Sequence, residues 1–122
     1  MNRTKKKILV ADDDAAILDV MKMVLSSEYE VETVCDGAVI PKIQEDPPAL
    51  VLMDVWMAHQ DGRDICRALK QSHSTQDIPV LMISASHNVR RSTRAAGADD
   101  FIEKPFDIDV LLNKVSSLTA TS

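Results

Sequence analysis

The sequence has no apolar run approaching the roughly 20 residues of a membrane span, and its N-terminus lacks the apolar stretch of a secretion signal. A cytoplasmic protein with no membrane partner is the expectation. Its two cysteines, Cys35 and Cys66, have no metal-ligand or redox spacing around them and read as reduced packing residues. Positive charge is also scarce. Against 14 Lys and Arg stand 19 Asp and Glu, a formal charge of -5 that argues against direct nucleic-acid binding. The basic run Arg3 to Lys7 is short, interrupted by Thr4, and reads as a solvated terminus. No His and Cys cluster invites zinc, and there is no repeat, low-complexity segment or linker. His59, His73 and His87 read as surface residues, and the six methionines as core or partner-face filling.

What is present is a set of apolar runs that each end in a chemically useful side chain. Ile8-Leu9-Val10-Ala11 runs into Asp12-Asp13, Leu50-Val51-Leu52-Met53 into Asp54, and Val80-Leu81-Met82-Ile83 into Ser84. A fourth, Phe101-Ile102-Glu103, leads to Lys104-Pro105. Such short runs read as strands buried on both faces, and helical patterns between them make the strands parallel. All the strand ends then share one edge, which in open α/β sheets is where ligands bind. With 45% hydrophobic residues in 122, the chain can form one ordinary domain, read as 1–122 with a core from about 6 to 118.

Strand and helix patterns alternate five times. Strands are expected near Lys6–Ala11, Glu30–Cys35, Leu50–Asp54, Pro79–Ser84 and Asp100–Glu103, the second shorter and at an edge. Helices are expected over about Asp14–Ser27, Gly37–Glu45, Arg63–Ser72 and Val89–Ala96, with a fifth starting from Asp107 as N-cap. The buried stripes predicted are Ile17, Val20, Met21, Val24 and Leu25 in the first helix and Ile65, Ala68 and Leu69 in the third. The second helix turns Val39, Ile40 and Ile43 inward and holds Pro41 in its first turn. The fifth turns Ile108, Leu111, Leu112, Val115 and Leu118 inward. Val55 to Asp61 reads as a loop, and Gly97 as a helix C-cap.

Asp12, Asp13 and Asp54 in one crevice repel one another, which raises their pKa values unless a cation joins them. Few carboxylates and no dense cage suit Mg²⁺, which keeps waters and shares its shell with phosphate oxygens. Lys104 and the Ser84 hydroxyl on the other side complete a site able to neutralise a phosphoryl group. Asp54, central among them, is the acceptor that could form an aspartyl phosphate. Taken singly, each has a plainer reading: Asp12 to Asp14 as a helix cap, Ser84 as a turn residue, Lys104 as a solvated lysine. Their joint placement favours the site.

The segments ILVADDD (Ile8 to Asp14), LVLMDVWM (Leu50 to Met57) with QDG (Gln60 to Gly62), PVLMISA (Pro79 to Ala85) and GADDFIEKPF (Gly97 to Phe106) resemble the receiver domain of a two-component response regulator. The resemblance implies a flavodoxin-like (βα)5 fold, a five-stranded parallel sheet of order 2-1-3-4-5 with helices on both faces. It implies that Asp54 is the phosphoacceptor, that Asp12, Asp13, Asp54 and the Trp56 backbone carbonyl hold Mg²⁺, that Lys104 meets the phosphoryl oxygen, and that Ser84 and Phe101 form the switch. The module would not be an enzyme in the ordinary sense, although it assists its own phosphorylation and dephosphorylation. Its implied partners are a sensor histidine kinase or histidine phosphotransfer protein and a downstream effector or output domain, with room for a phosphorylation-dependent homodimer. Ala58 replaces the family's usual Pro, Phe101 its frequent Tyr, and Trp56 is bulky for its place. The stretch from Ser84 to Gly97 is about two residues shorter than in the chemotaxis-type receiver.

Two other readings compete. A phosphatase of the haloacid-dehalogenase type would use Asp12 as nucleophile in Asp12-x-Asp14, but leaves Asp54 unexplained and needs a longer chain. A receiver-like scaffold that is never phosphorylated has no use for an intact acidic site.

Overall fold

The computed structural model describes residues 5–35, 38–57 and 60–120. Five parallel strands form one sheet in the order β2-β1-β3-β6-β7, which is 2-1-3-4-5 when only this sheet is numbered. They are β1 (Lys7–Ala11), β2 (Glu30–Val34), β3 (Leu50–Asp54), β6 (Val80–Ser84) and β7 (Asp100–Glu103). Between β3 and β6 the expected loop instead pairs with itself. Trp56–Met57 (β4) and Gln60–Asp61 (β5) make a two-residue antiparallel ladder, with Trp56 opposite Asp61.

Side chains alternate across a strand, so each run divides between two cores. Ile8, Val10, Leu50, Leu52, Leu81 and Ile83 point to one face, under α1 (Ala15–Leu25) and α5 (Ile108–Thr119). Leu9, Val51, Met53, Val80 and Met82 point to the other, under α2 (Val39–Glu45), α3 (Gly62–Gln71) and α4 (Arg90–Ala95). Every residue of β3 and β6 is buried, as continuous apolar runs covered on both faces require. Removing one of these large side chains, such as Leu52→Ala, would cost about 2–5 kcal/mol.

The helices depart from expectation in their details. In α1 the buried stripe is Leu18, Met21 and Leu25, and Val20 is half exposed. In α3 Cys66 is buried where Ala68 was expected, and Ala68 is exposed. Ile108 at the start of α5 is also half exposed, while Leu111 and Val115 are fully buried. Cys35 is exposed rather than packed. Pro41 occupies the third position of α2, within the first turn as required. A 3-10 turn, His87–Val89, precedes α4, and Gly97 follows its end at φ 101°, where only glycine is comfortable. Asp107 occupies the N-cap of α5 without a side-chain cap bond. His73 is exposed; Ala58 and His59, Gly37 and the start of the basic run at Arg3 lie outside the described residues.

Candidate functional site

The carboxyl ends of β1, β3, β6 and β7 bring Asp12, Asp54, Ser84 and Lys104 to one crevice. Asp12 and Asp54 are 3% and 8% exposed, whereas Asp13 faces solvent. One carboxylate oxygen from each of the three lies within 4.8 Å of the others. The Lys104 Nζ sits between the two buried carboxylates, 3.5 Å from Asp12 Oδ2 and 3.7 Å from Asp54 Oδ1. Its backbone N–H donates to the Ser84 carbonyl at 2.8 Å, which anchors the lysine to β6.

The three consecutive aspartates have separate tasks. Asp14 is the N-cap of α1: its Oδ1 accepts from Ala16 N–H at 2.9 Å. The Asp14 N–H in turn donates to Asp12 Oδ1 at 2.9 Å, aiming the remaining oxygen of Asp12 at Lys104. The cap reading therefore belongs to Asp14 alone, and its use there removes the second carboxylate that the Asp12-x-Asp14 phosphatase reading needs.

Burial drives the electrostatics. It pushes the Asp54 carboxyl from its ordinary 3.8 up to about 6, against the pull of Lys104, with the neighbouring Asp12 and Asp13 charges adding smaller pushes. Asp12 is raised mainly by burial too, opposed by the Asp14 N–H and Lys104. The direction matches the expectation from mutual repulsion, but desolvation is the larger cause. At pH 7 Asp54 remains mostly ionised.

The loop after Asp54 is held close. The Trp56 backbone N–H donates to the Asp54 carboxylate. Val55 N–H donates to Ile83 O at 2.9 Å, and Gly62 N–H to Val55 O at 2.7 Å. A Cβ on Gly62 would lie 2.4 Å from the Asp54 carbonyl oxygen. Only glycine permits this approach of α3 to the end of β3, a constraint that a lone glycine does not announce in the sequence.

Ser84 is fully buried, and its Oγ accepts from Ser86 N–H at 3.1 Å. Its cross-strand partner is Glu103; Phe101 pairs with Met82, one step earlier on the same face. The Phe101 ring is 4% exposed, and the Arg90 guanidinium lies 4.9 Å from its centre. Half-exposed Val20 and Ile108 also have a place: with Ile17, Pro105 and Phe106 they line an apolar groove of about 570 Å³ that reaches Lys104.

Residues 8–116 match the model of the response regulator receiver domain family. The chain belongs to that family. This receiver domain is 34% identical over 119 residues to the DNA-binding dual master transcriptional regulator RpaA of Synechocystis, covering 92% of the chain and 48% of that protein. It is 38% identical over 117 residues to the response regulator PleD of Caulobacter vibrioides, covering 93% of the chain and 26% of that protein. The chain thus spans from a quarter to half the length of these relatives. Among solved structures, the receiver domain of NtrX from Brucella abortus matches with a TM-score of 0.85 at 36% identity, covering 94% of this chain and 99% of that one. The flavodoxin-like receiver fold expected from the sequence is the observed one.

Proposed function

We propose that this receiver domain takes a phosphoryl group from a phosphohistidine onto Asp54 and passes the change to a partner-binding face. The observation that carries the reading is the placement of Lys104 between two buried carboxylates at the end of the central strand. An Asp54 carboxylate oxygen attacks phosphorus as the bond to the imidazole nitrogen breaks, and the imidazole keeps that electron pair. Lys104 then faces the added negative charge and stabilises it, since its ammonium is 3.7 Å from Asp54 Oδ1.

Among the described residues the cluster at Asp54 is three carboxylates, the chemistry of a hard divalent cation. Asp12, Asp13, Asp54 and the Trp56 backbone carbonyl would hold Mg²⁺, which supplies positive charge to the phosphoryl oxygens. The Ser84 hydroxyl turns from Ser86 toward a phosphoryl oxygen, because a hydrogen bond to a charged acceptor is about twice as strong as a neutral one. Phe101, on the same face of the neighbouring strand, adjusts to that movement and reshapes the surface of α4, β7 and α5. The donor is a sensor histidine kinase or phosphotransfer protein, for which the apolar groove beside Lys104 offers a resting place. Downstream stands an effector or output domain, or a second phosphorylated copy. Among the described residues no helix is long and apolar enough to cross a membrane, and cytoplasmic operation belongs to the same proposal.

Incubation with acetyl phosphate and Mg²⁺, followed by mapping of the modified residue, tests the reading. Modification is expected at Asp54 and absent from Asp54→Asn; labelling that persists at Asp12 in that variant would sink it. Ser84→Ala should still accept phosphate but leave the Phe101 and α4 NMR shifts largely unresponsive.

A further inference from the structure

The loop that carries Trp56 is held by a side chain that the phosphoryl chemistry does not use. Arg63, in the first turn of α3, forms a fork with Asp61: Nε donates to Oδ1 at 2.9 Å and Nη2 to Oδ2 at 2.5 Å. The same guanidinium lies 4.6 Å from the centre of the Trp56 ring, and Asp61 is the residue paired with Trp56 in the β4-β5 ladder. Trp56 is half exposed, so without the arginine one face of its indole would lie open to water. The remaining nitrogen, Nη1, donates to Ser92 Oγ of α4 at 2.8 Å. Ser92 Oγ in turn donates to Val89 O at 2.9 Å, which fixes it at the start of that helix. One planar group therefore touches the loop after the phosphoacceptor, the cap of α3 and the first turn of α4.

We infer that Arg63 is a positioning residue which clamps the Trp56 segment for phosphorylation and ties that segment to α4. This rests on the proposed phosphoryl transfer to Asp54. The clamp acts on the reaction because the backbone N–H of Trp56 donates to the Asp54 carboxylate, and its carbonyl is in the proposed Mg²⁺ set. Planarity is essential, since a flat fork can bind a carboxylate with two nitrogens and stack on an indole at once. Lysine offers a point charge and can do neither. The link to Ser92 gives α4 a contact with the phosphoacceptor loop that does not pass through Ser84 or Phe101.

The full chain is used for the test, with Arg63→Gln, Arg63→Lys and Ser92→Ala each checked for a dispersed amide spectrum. Mg²⁺ half-saturation is read from Trp56 fluorescence, and α4 amide shifts are read with and without beryllium fluoride as phosphoryl mimic. Both Arg63 variants should raise the Mg²⁺ half-saturation about tenfold, as loss of an outer partner of a ligand commonly does. Ser92→Ala should leave Mg²⁺ binding as in the parent and weaken the α4 response. Parent-like Mg²⁺ binding in Arg63→Gln, or full rescue by Arg63→Lys, overturns the clamp; an unchanged α4 response in Ser92→Ala overturns the tie. Failure of the parent to be modified at Asp54 by acetyl phosphate is a separate result, and it removes the phosphoryl-transfer reading instead.

Discussion

The two ends of the strands treat charge in opposite ways. At the first residue of β1, Lys7 Nζ is 2.6 Å from Glu32 Oε1 and 2.7 Å from Asp46 Oδ2, and Lys42 reaches Glu32 from the other side at 3.2 Å. Positive and negative groups balance there, and hydrogen bonds from the lysines hold the Glu32 carboxyl below its usual range. At the carboxyl edge, among the described residues, three carboxylates face one lysine, two of them buried, and Asp54 is pushed up to about 6. One end is arranged for a folded protein at rest. The other is left short of positive charge, which is the condition under which a cation or a phosphoryl group with its counter-ion binds selectively.

Overpacking the carboxyl edge gives the largest expected contrast. Gly62→Ala places a Cβ 2.4 Å from the Asp54 carbonyl oxygen, and urea denaturation should show a loss of about 3 kcal/mol, the upper range for forced insertion into a packed site. A loss near zero would mean that α3 yields easily and that the edge is not held rigid.

Next comes pH. Asp54 binds its proton more tightly when folded than when unfolded, so from about pH 4 to pH 6 the native state carries the extra proton. Its contribution to stability is complete below about pH 4 and is lost as pH rises through about 6, on the order of 3 kcal/mol. Denaturation of the metal-free protein across this range, with Asp54→Asn subtracted, isolates the effect from carboxylates such as Glu32 that act in the opposite sense. A parent and variant with the same pH profile would erase the contrast between the two ends.

A smaller effect is expected from Asp13→Asn. Relief of repulsion at the exposed member of the cluster should stabilise the metal-free protein by about 1 kcal/mol and shrink the rise in melting temperature produced by millimolar Mg²⁺. Calorimetry with and without metal reads both changes. The smallest belongs to the balanced end: Glu32→Gln should cost about 0.5 kcal/mol, and the difference should vanish near 1 M NaCl, where screening acts within about 3 Å. Its response to Mg²⁺ should equal the parent's.

Much of this is readable in the amino-acid sequence. The apolar runs announce β1, β3 and β6 because a strand covered on both faces has no room for polar residues. Parallel order then forces Asp12, Asp54, Ser84 and Lys104 onto one edge, whatever the details of the helices. Less was readable where a helix meets the rim of the sheet. Val20 and Ile108 have the period of buried residues, yet they line the groove beside Lys104 and stay half exposed. Periodicity records which side of a helix is apolar, not which turn overhangs its neighbour.

The sequence by itself determined the two-sided core and the identity of the crevice residues, since these follow from patterns within single segments and from parallel strands sharing one carboxyl edge, while the strand order was implied only by the resemblance to the receiver family. Only the tertiary structure decided that Asp14 caps α1 while Asp12 faces Lys104, that Gly62 touches the Asp54 carbonyl, and that Arg63 joins Trp56 to Ser92. It also decided that burial, more than repulsion, raises Asp54. Desolvation and close contact are sums over atoms brought from distant parts of the chain, so no local pattern of residues can state them in advance.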